Sequence, residues 1–265
     1  MADWDSLGTR GSVDDRRGRR GVALGTTSIT SVLLLMGVTY LLGGNPLSVL
    51  ETVPLDQIVT TETGPTDTSE FAGLDTYETF ASTVVGSLNE FWTEQLASSS
   101  TRYAEPTLVL FRGATDSACG GARSAYGPHY CPTDSTIYLD ETFFDELTSR
   151  LGATGGDVAE AYVIAHEVGH HVQSLTHTLD QTDSITTELQ ADCYAGLWLA
   201  SLPDRVLEPG ETAEALNAAA AVGDDHIQEV TTGTIHKETW THGSSADRQA
   251  TFTRGYKATS YLACR

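Results

Sequence analysis

Positive charge is what this 265-residue chain has least of: 15 Lys and Arg stand against 36 Asp and Glu, a formal net of −21. Only two of the basic residues are lysines, Lys237 and Lys257. Such a surface repels phosphate backbones and excludes nucleic acid as a partner class. It resembles the surfaces of proteins from salt-loving organisms, where high ionic strength screens self-repulsion. A plain acidic domain outside the cytoplasm is the alternative. Cysteine is scarce too, with four residues and no CxxC pair, which argues against a cysteine-built zinc site. An even number instead fits two disulfides, in any of three pairings. Cys119–Cys131 is the favoured one, because the Gly- and Ser-rich loop between them has little else to hold it. Cys193–Cys264 then remains. There is no internal repeat, which excludes a solenoid. The 40% hydrophobic content excludes wholesale disorder.

The basic residues are also uneven. Arg10, Arg16, Arg17, Arg19 and Arg20 fall within residues 1–21, a polar segment without hydrophobic period that reads as a disordered cytoplasmic tail. Residues 22–43 follow, and 22–42 contain no charged residue. At about 1.5 Å rise per residue this run matches a bilayer core, so the sequence predicts a membrane-spanning helix. Arginines before it and none directly after place the tail inside and the rest outside, a single-pass plasma-membrane protein. A cleaved signal peptide is the competing reading. Residues 44–70 read as a linker and 71–265 as the catalytic domain.

Within that domain, Asp75 and Glu78 form a capping-box signal for a helix over about 75–97. Thr107 to Phe111 and Thr136 to Asp140 read as strands, the second as a sheet edge able to pair with an extended peptide. Asp140 is placed to cap a helix through Phe143, Phe144 and Leu147. Asp157 and Glu160 open a helix to about Leu175, and further helices are expected at about 184–201, 211–222 and 245–262. Several helices with few strands give an α+β class, mostly helical with a small sheet.

The chemistry centres on His166, Glu167 and His170, an HExxH pattern on the predicted 157–175 helix. Residues four apart share a face, so both imidazoles reach one cation, while Glu167 flanks it and takes a proton from water. Apolar neighbours such as Ile164, Val168 and Val172 bury this stretch, and buried histidines without partners cost several kcal/mol. A third ligand is required. The extended HExxHxxGxxH pattern fails, since Gln173 and Thr176 stand where Gly and His belong. His177 is one residue out of register. Glu188 on the next helix is the better candidate, and Asp192 lies one turn on, able to accept a hydrogen bond from a ligating imidazole.

The segments ACGGARSAYGPHYCPTDSTIYLD, AHEVGHHVQ, ELQADCYAGLW, VGDDHIQ and THGSSADRQATF together resemble the putative neutral zinc metallopeptidase family of bacteria and archaea. The likeness spans roughly residues 70–264. It implies the zincin fold and zinc ligands matching His166, His170 and Glu188. His242 is then a candidate donor to the oxyanion, the role a late histidine plays in similar peptidases. Arg248 is a weaker candidate for the same role, with an ion pair to a local acid as its alternative. Asp224 and Asp225 read as caps rather than calcium ligands, and His171 as a packing residue. The expected reaction is zinc-assisted hydrolysis of a peptide or unfolded protein. A zinc hydrolase of cell-envelope amides or esters, and an inactive zinc-braced binding protein, are the alternatives.

Overall fold

The computed structural model describes residues 1–18, 75–179 and 183–265. These residues carry six strands: β1 (Val13–Asp15), β2 (Thr107–Leu110), β3 (Ala114–Thr115), β4 (Ala122–Arg123), β5 (His129–Cys131) and β6 (Thr136–Leu139). Seven α-helices accompany them: α1 (Thr76–Leu96), α2 (Thr142–Ser149), α3 (Asp157–Leu175), α4 (Ser184–Ser201), α5 (Thr212–Ala221), α6 (Asp224–Thr232) and α7 (Ser245–Tyr256). The class is α+β and zincin-like, with a small mixed sheet. Its order is β1-β2-β6-β5, with β1, β2 and β6 parallel and β5 antiparallel to β6.

Several local signals act as the sequence predicts. Asp75 caps α1, its carboxylate accepting from Glu78 N at 2.7 Å. Asp140 Oδ1 accepts from Thr142 N at 3.0 Å. Ser244, which with Asp247 three residues on also carries a capping-box pattern, accepts at Oγ from Asp247 N at 3.1 Å and so starts α7. Both favoured disulfides, Cys119–Cys131 and Cys193–Cys264, are formed. Asp157 departs from its expected part: α3 is preceded by Gly156, with no side-chain cap. The Asp157 carboxylate accepts instead from Ala2 N and Trp4 Nε1, each at 2.9 Å.

The expected disordered tail is corrected by the same contacts. Trp4 is buried and stacks on Trp198, 6.3 Å between ring centroids. Strand β1 pairs with β2 through Val13 and Leu108. The buried Arg17 guanidinium bridges Asp15, Asp75 and Glu141 at 2.7, 2.9 and 2.6 Å. Residues 1–18 thus belong to the same compact unit as the remaining described residues.

The single-pass membrane placement falls with it. The expected span, 22–43, and the linker, 44–70, lie outside the described residues. Among the described residues no helix is long and apolar enough to cross a membrane. A single crossing between residues 18 and 75 would set on opposite sides two segments that share one sheet. The inside-tail, outside-domain plasma-membrane arrangement is therefore withdrawn.

Strand β6 is a second correction. It is not an edge: it lies between β2 and β5, with all four residues buried. Among the described residues the edges are β1 and β5, each too short to stand out in the sequence. Helix α6 is not among the helices the sequence predicts, because DDHIQEVTT carries only two apolar residues, Ile227 and Val230.

Helix α3 runs through the core, packed against α1, α4 and α5. Helices α4 and α7 cross in backbone contact. A Cβ at Gly196 would overlap the Phe252 carbonyl, and one at Gly255 the Cys193 carbonyl. This crossing fixes α4 beside α3.

Candidate metal centre

Helix α3 presents His166 and His170 one turn apart, and α4 presents Glu188 toward them. The helices approach closely at Gly169, where a Cβ would lie 3.1 Å from the Ala191 Cα. His166 Nε2 lies 3.1 Å from His170 Nε2 and 3.1 Å from Glu188 Oε2. His170 Nε2 lies 3.4 Å from Glu188 Oε1. Among the described residues, these three are the one group of His, Cys, Asp and Glu able to share a metal ion.

The outward-facing nitrogens set the ring orientations. His166 Nδ1–H donates to Asp192 Oδ1 at 2.8 Å. Asp192 is fully buried and also accepts from Tyr162 OH at 2.5 Å and from Arg248 Nε and Nη2 at 2.8 and 2.9 Å. His170 Nδ1–H donates to Gln173 Oε1 at 2.8 Å, and Gln173 Nε2 donates to the Thr187 carbonyl at 2.7 Å. With both Nδ1 atoms donating, the Nε2 lone pairs face each other and a carboxylate, a repulsive arrangement unless a cation or proton sits between them.

The donor set fits zinc. Ligand bonds of about 2.0–2.1 Å in a tetrahedron put neighbouring donors about 3.3 Å apart, close to the separations here. The titration of the metal-free groups points the same way. Burial opposes a charged His166, but Asp192 and then Glu188 raise its pKa to about 10. Burial also opposes a charged Glu188, yet His166 and His170 hold it far below the usual carboxylate range. Asp192, despite burial, is held low by Arg248 and His166. The pocket is thus built to keep positive charge at its centre.

Glu167 is 7% exposed, and its Oε2 is buried without a hydrogen-bond partner. It lines, with His166, His170 and Glu188, a cleft of about 530 Å³. His242 lines the same cleft but is half-exposed and outside the three-residue cluster. Its Nδ1 lies 3.1 Å from Asp224 Oδ1. The other Asp224 oxygen accepts from the backbone N–H groups of Thr241, His242 and Gly243 at 2.8, 2.6 and 2.9 Å. Asp224 therefore builds the turn that carries His242 instead of capping a helix: α6 begins at Asp224 itself, after Gly223, with no side-chain cap. Asp225 likewise accepts from Ser245 N at 2.8 Å.

Arg248 pairs with an acid, as its alternative reading has it, but with Asp192, 56 residues away, rather than a local one. His177 follows the end of α3 with a left-handed φ of 56° and is outside the cluster. His171 faces away from it, accepting from Tyr130 OH at 3.0 Å and donating to the Ala104 carbonyl at 2.6 Å. Sequence reasoning passed over Tyr162 and Gln173. Tyr162 had a signal, since it precedes His166 by four residues on the same face. Gln173 stood out only as a mismatch to a longer motif.

A family model described as Putative neutral zinc metallopeptidase matches residues 2–265. The chain is 41% identical over 200 residues to Uncharacterized protein YpfJ of Escherichia coli (strain K12), covering 70% of this chain and 69% of that one. It is 47% identical over 175 residues to Uncharacterized protein Rv2575 of Mycobacterium tuberculosis (strain ATCC 25618 / H37Rv), covering 58% of this chain and 60% of that one. No solved structure matches.

Proposed function

Because the chain belongs to the putative neutral zinc metallopeptidase family, we propose that its cleft hydrolyses peptide bonds, with His166, His170 and Glu188 holding zinc and Glu167 serving as general base. The supporting observation is the pairing of a three-ligand cluster with an adjacent buried carboxylate whose Oε2 has no protein partner. A zinc ion there supplies Lewis acidity, polarising a carbonyl and acidifying water.

The chain's own residues do the rest. Glu167 takes a proton from the attacking water at Oε2 and passes it to the departing amine. Asp192 and Gln173 hold the two imidazoles in the tautomer whose Nε2 is free to ligate. His242, steadied by Asp224, faces the cleft as a donor to the oxygen that gains charge. Strand β5 contributes a sheet edge beside the cleft, where an extended chain can pair. Peptides and unfolded proteins are the substrate class.

A zinc-braced binding protein would need no carboxylate at position 167, so the unpartnered Glu167 favours the enzyme. The test is Glu167→Gln. The variant is expected to bind one zinc per chain, as the unmodified protein does, and to lose at least about 10³-fold in cleavage of an unfolded protein. Undiminished cleavage by zinc-loaded Glu167→Gln would remove the mechanism.

A further inference from the structure

The two ligating imidazoles are oriented by unlike partners. As a carboxylate, Asp192 can only accept, so the nitrogen of His166 that faces it carries the proton. Gln173, which faces His170, has no such built-in polarity. Turned over, its amide would donate to Nδ1 and leave the proton on Nε2, the ligating position. Something must therefore hold that amide one way round.

A chain of contacts does so. Gln173 Nε2 donates to the Thr187 carbonyl at 2.7 Å and to Gln190 Oε1 at 3.0 Å. Gln190 is an amide too, and its own direction is set in turn, because its Nε2 donates to the Cys264 carbonyl at 3.2 Å. Thr187 and Cys264 offer backbone oxygens, which accept and never donate. Between these fixed ends only one arrangement of the two amides satisfies every contact, and it leaves Gln173 Oε1 toward His170. Flipping either amide would set oxygen against oxygen around Gln173, which is fully buried.

The far end of this relay is fastened. Gln190 and Cys193 lie three apart on one face of α4, so the Cys193–Cys264 disulfide delivers the Cys264 carbonyl to Gln190. The helical turn Tyr261–Cys264 is also held to α1, where Tyr261 N donates to Gln95 Oε1 at 3.1 Å and the Tyr261 ring meets Trp92 edge-on. We infer that Gln190 is a positioning residue of the metal centre, and that the disulfide-held turn Tyr261–Cys264 acts through it to keep Gln173 accepting from His170. The inference rests on His170 as a metal ligand, the part of the proposed function it deepens, and requires no peptide cleavage.

The experiment measures zinc affinity by competition with a chelator, in the full chain and in Gln190→Met, which keeps the side chain's length and removes both of its hydrogen bonds. Loss of a ligand's direct outer partner costs about 10–100-fold, the fall expected for Gln173→Met, and Gln190→Met, one step further out, is expected to lose about three- to tenfold. The double variant is expected to bind zinc no more weakly than Gln173→Met alone, because without Gln173 the second amide has nothing to orient. In zinc-loaded protein with isotope-labelled histidine, the His170 Nδ1–H of Gln190→Met is expected to exchange with water several-fold faster by NMR. Gln190→Ala repeats the measurement should Gln190→Met not fold, since alanine suits a helix interior. Affinity within about twofold of the unmodified protein in a folded Gln190 variant overturns the inference, as do losses that simply add in the double variant. Zinc binding weakened by Gln190→Met, in a protein whose unmodified form cleaves no unfolded substrate, would sink the peptidase reading and leave the relay standing. Cleavage together with an unaltered affinity would do the reverse.

Discussion

Asp192 serves three groups with one carboxylate: it orients His166, accepts from Tyr162 and neutralises Arg248. Breaking a buried charge pair by removing one partner costs about 3–5 kcal/mol, and losing a ligand's outer partner costs about 10–100-fold in metal affinity. Asp192→Asn keeps the shape but strands the Arg248 charge, so both effects are expected together. Zinc titration and thermal unfolding of the variant check this; unchanged values for both would contradict the network. Glu160 gives a second prediction. Burial, with Asp157, Glu141 and Asp145 nearby, raises its pKa to about 7. The folded state then binds a proton the unfolded state releases near pH 4.5, so this contribution is full below that value and is lost as pH rises through about 7. The loss is at most about 3 kcal/mol. Glu160→Gln is expected to unfold at a higher temperature than the unmodified protein at pH 8 and to match it at pH 4.5. The pairing of His166 with His170 is legible in the sequence because four-residue spacing on a helix is local. The Arg248–Asp192 pair was not, since only folding brings α7 to α4.

Helices were the most legible elements, because caps and apolar periods are written in consecutive residues. Asp75, Asp140 and Ser244 each act through neighbours within three positions. The sheet resisted reading for the opposite reason. Thr136 to Leu139 alternates no differently at an edge or a centre, and β1 and β5 are three residues each. Strand order depends on which distant segments meet. The α4–α7 crossing was equally hidden, since a glycine in a helix advertises no partner. Its consequence is testable: Gly196→Ala puts a methyl into the Phe252 carbonyl. Overpacking of this kind costs typically 1–3 kcal/mol and shifts the backbone. Because α4 carries Glu188, a loss of stability of at least about 1 kcal/mol and weaker zinc binding are expected together. A variant as stable as the unmodified protein, with the same affinity, would mean that the crossing does not position the ligand.

At the scale of the molecule, the first eighteen residues carry more of the architecture than their composition suggests. Their sequence is polar and glycine-rich, and their anchoring rests on single residues: Trp4 against Trp198, and Arg17 among three carboxylates. No periodicity announces such contacts, so composition pointed to disorder. Removing residues 1–18 strips β1 from β2 and uncovers the Trp198 side of the core. Circular dichroism of the shortened chain is expected to give a markedly lower unfolding temperature and a greater tendency to aggregate, as for any bared strand edge. An unchanged melting curve would return these residues to the status of a tail.

The pairing of Val13 with Leu108 also sets a timetable. Strand β1 cannot form its ladder until Leu108, 95 residues later, has been made, and the parallel pairing must then close across that whole interval. The sheet flanking the cleft is thus closed by a contact of high sequence separation, the kind whose loop must be ordered before the pairing rewards it.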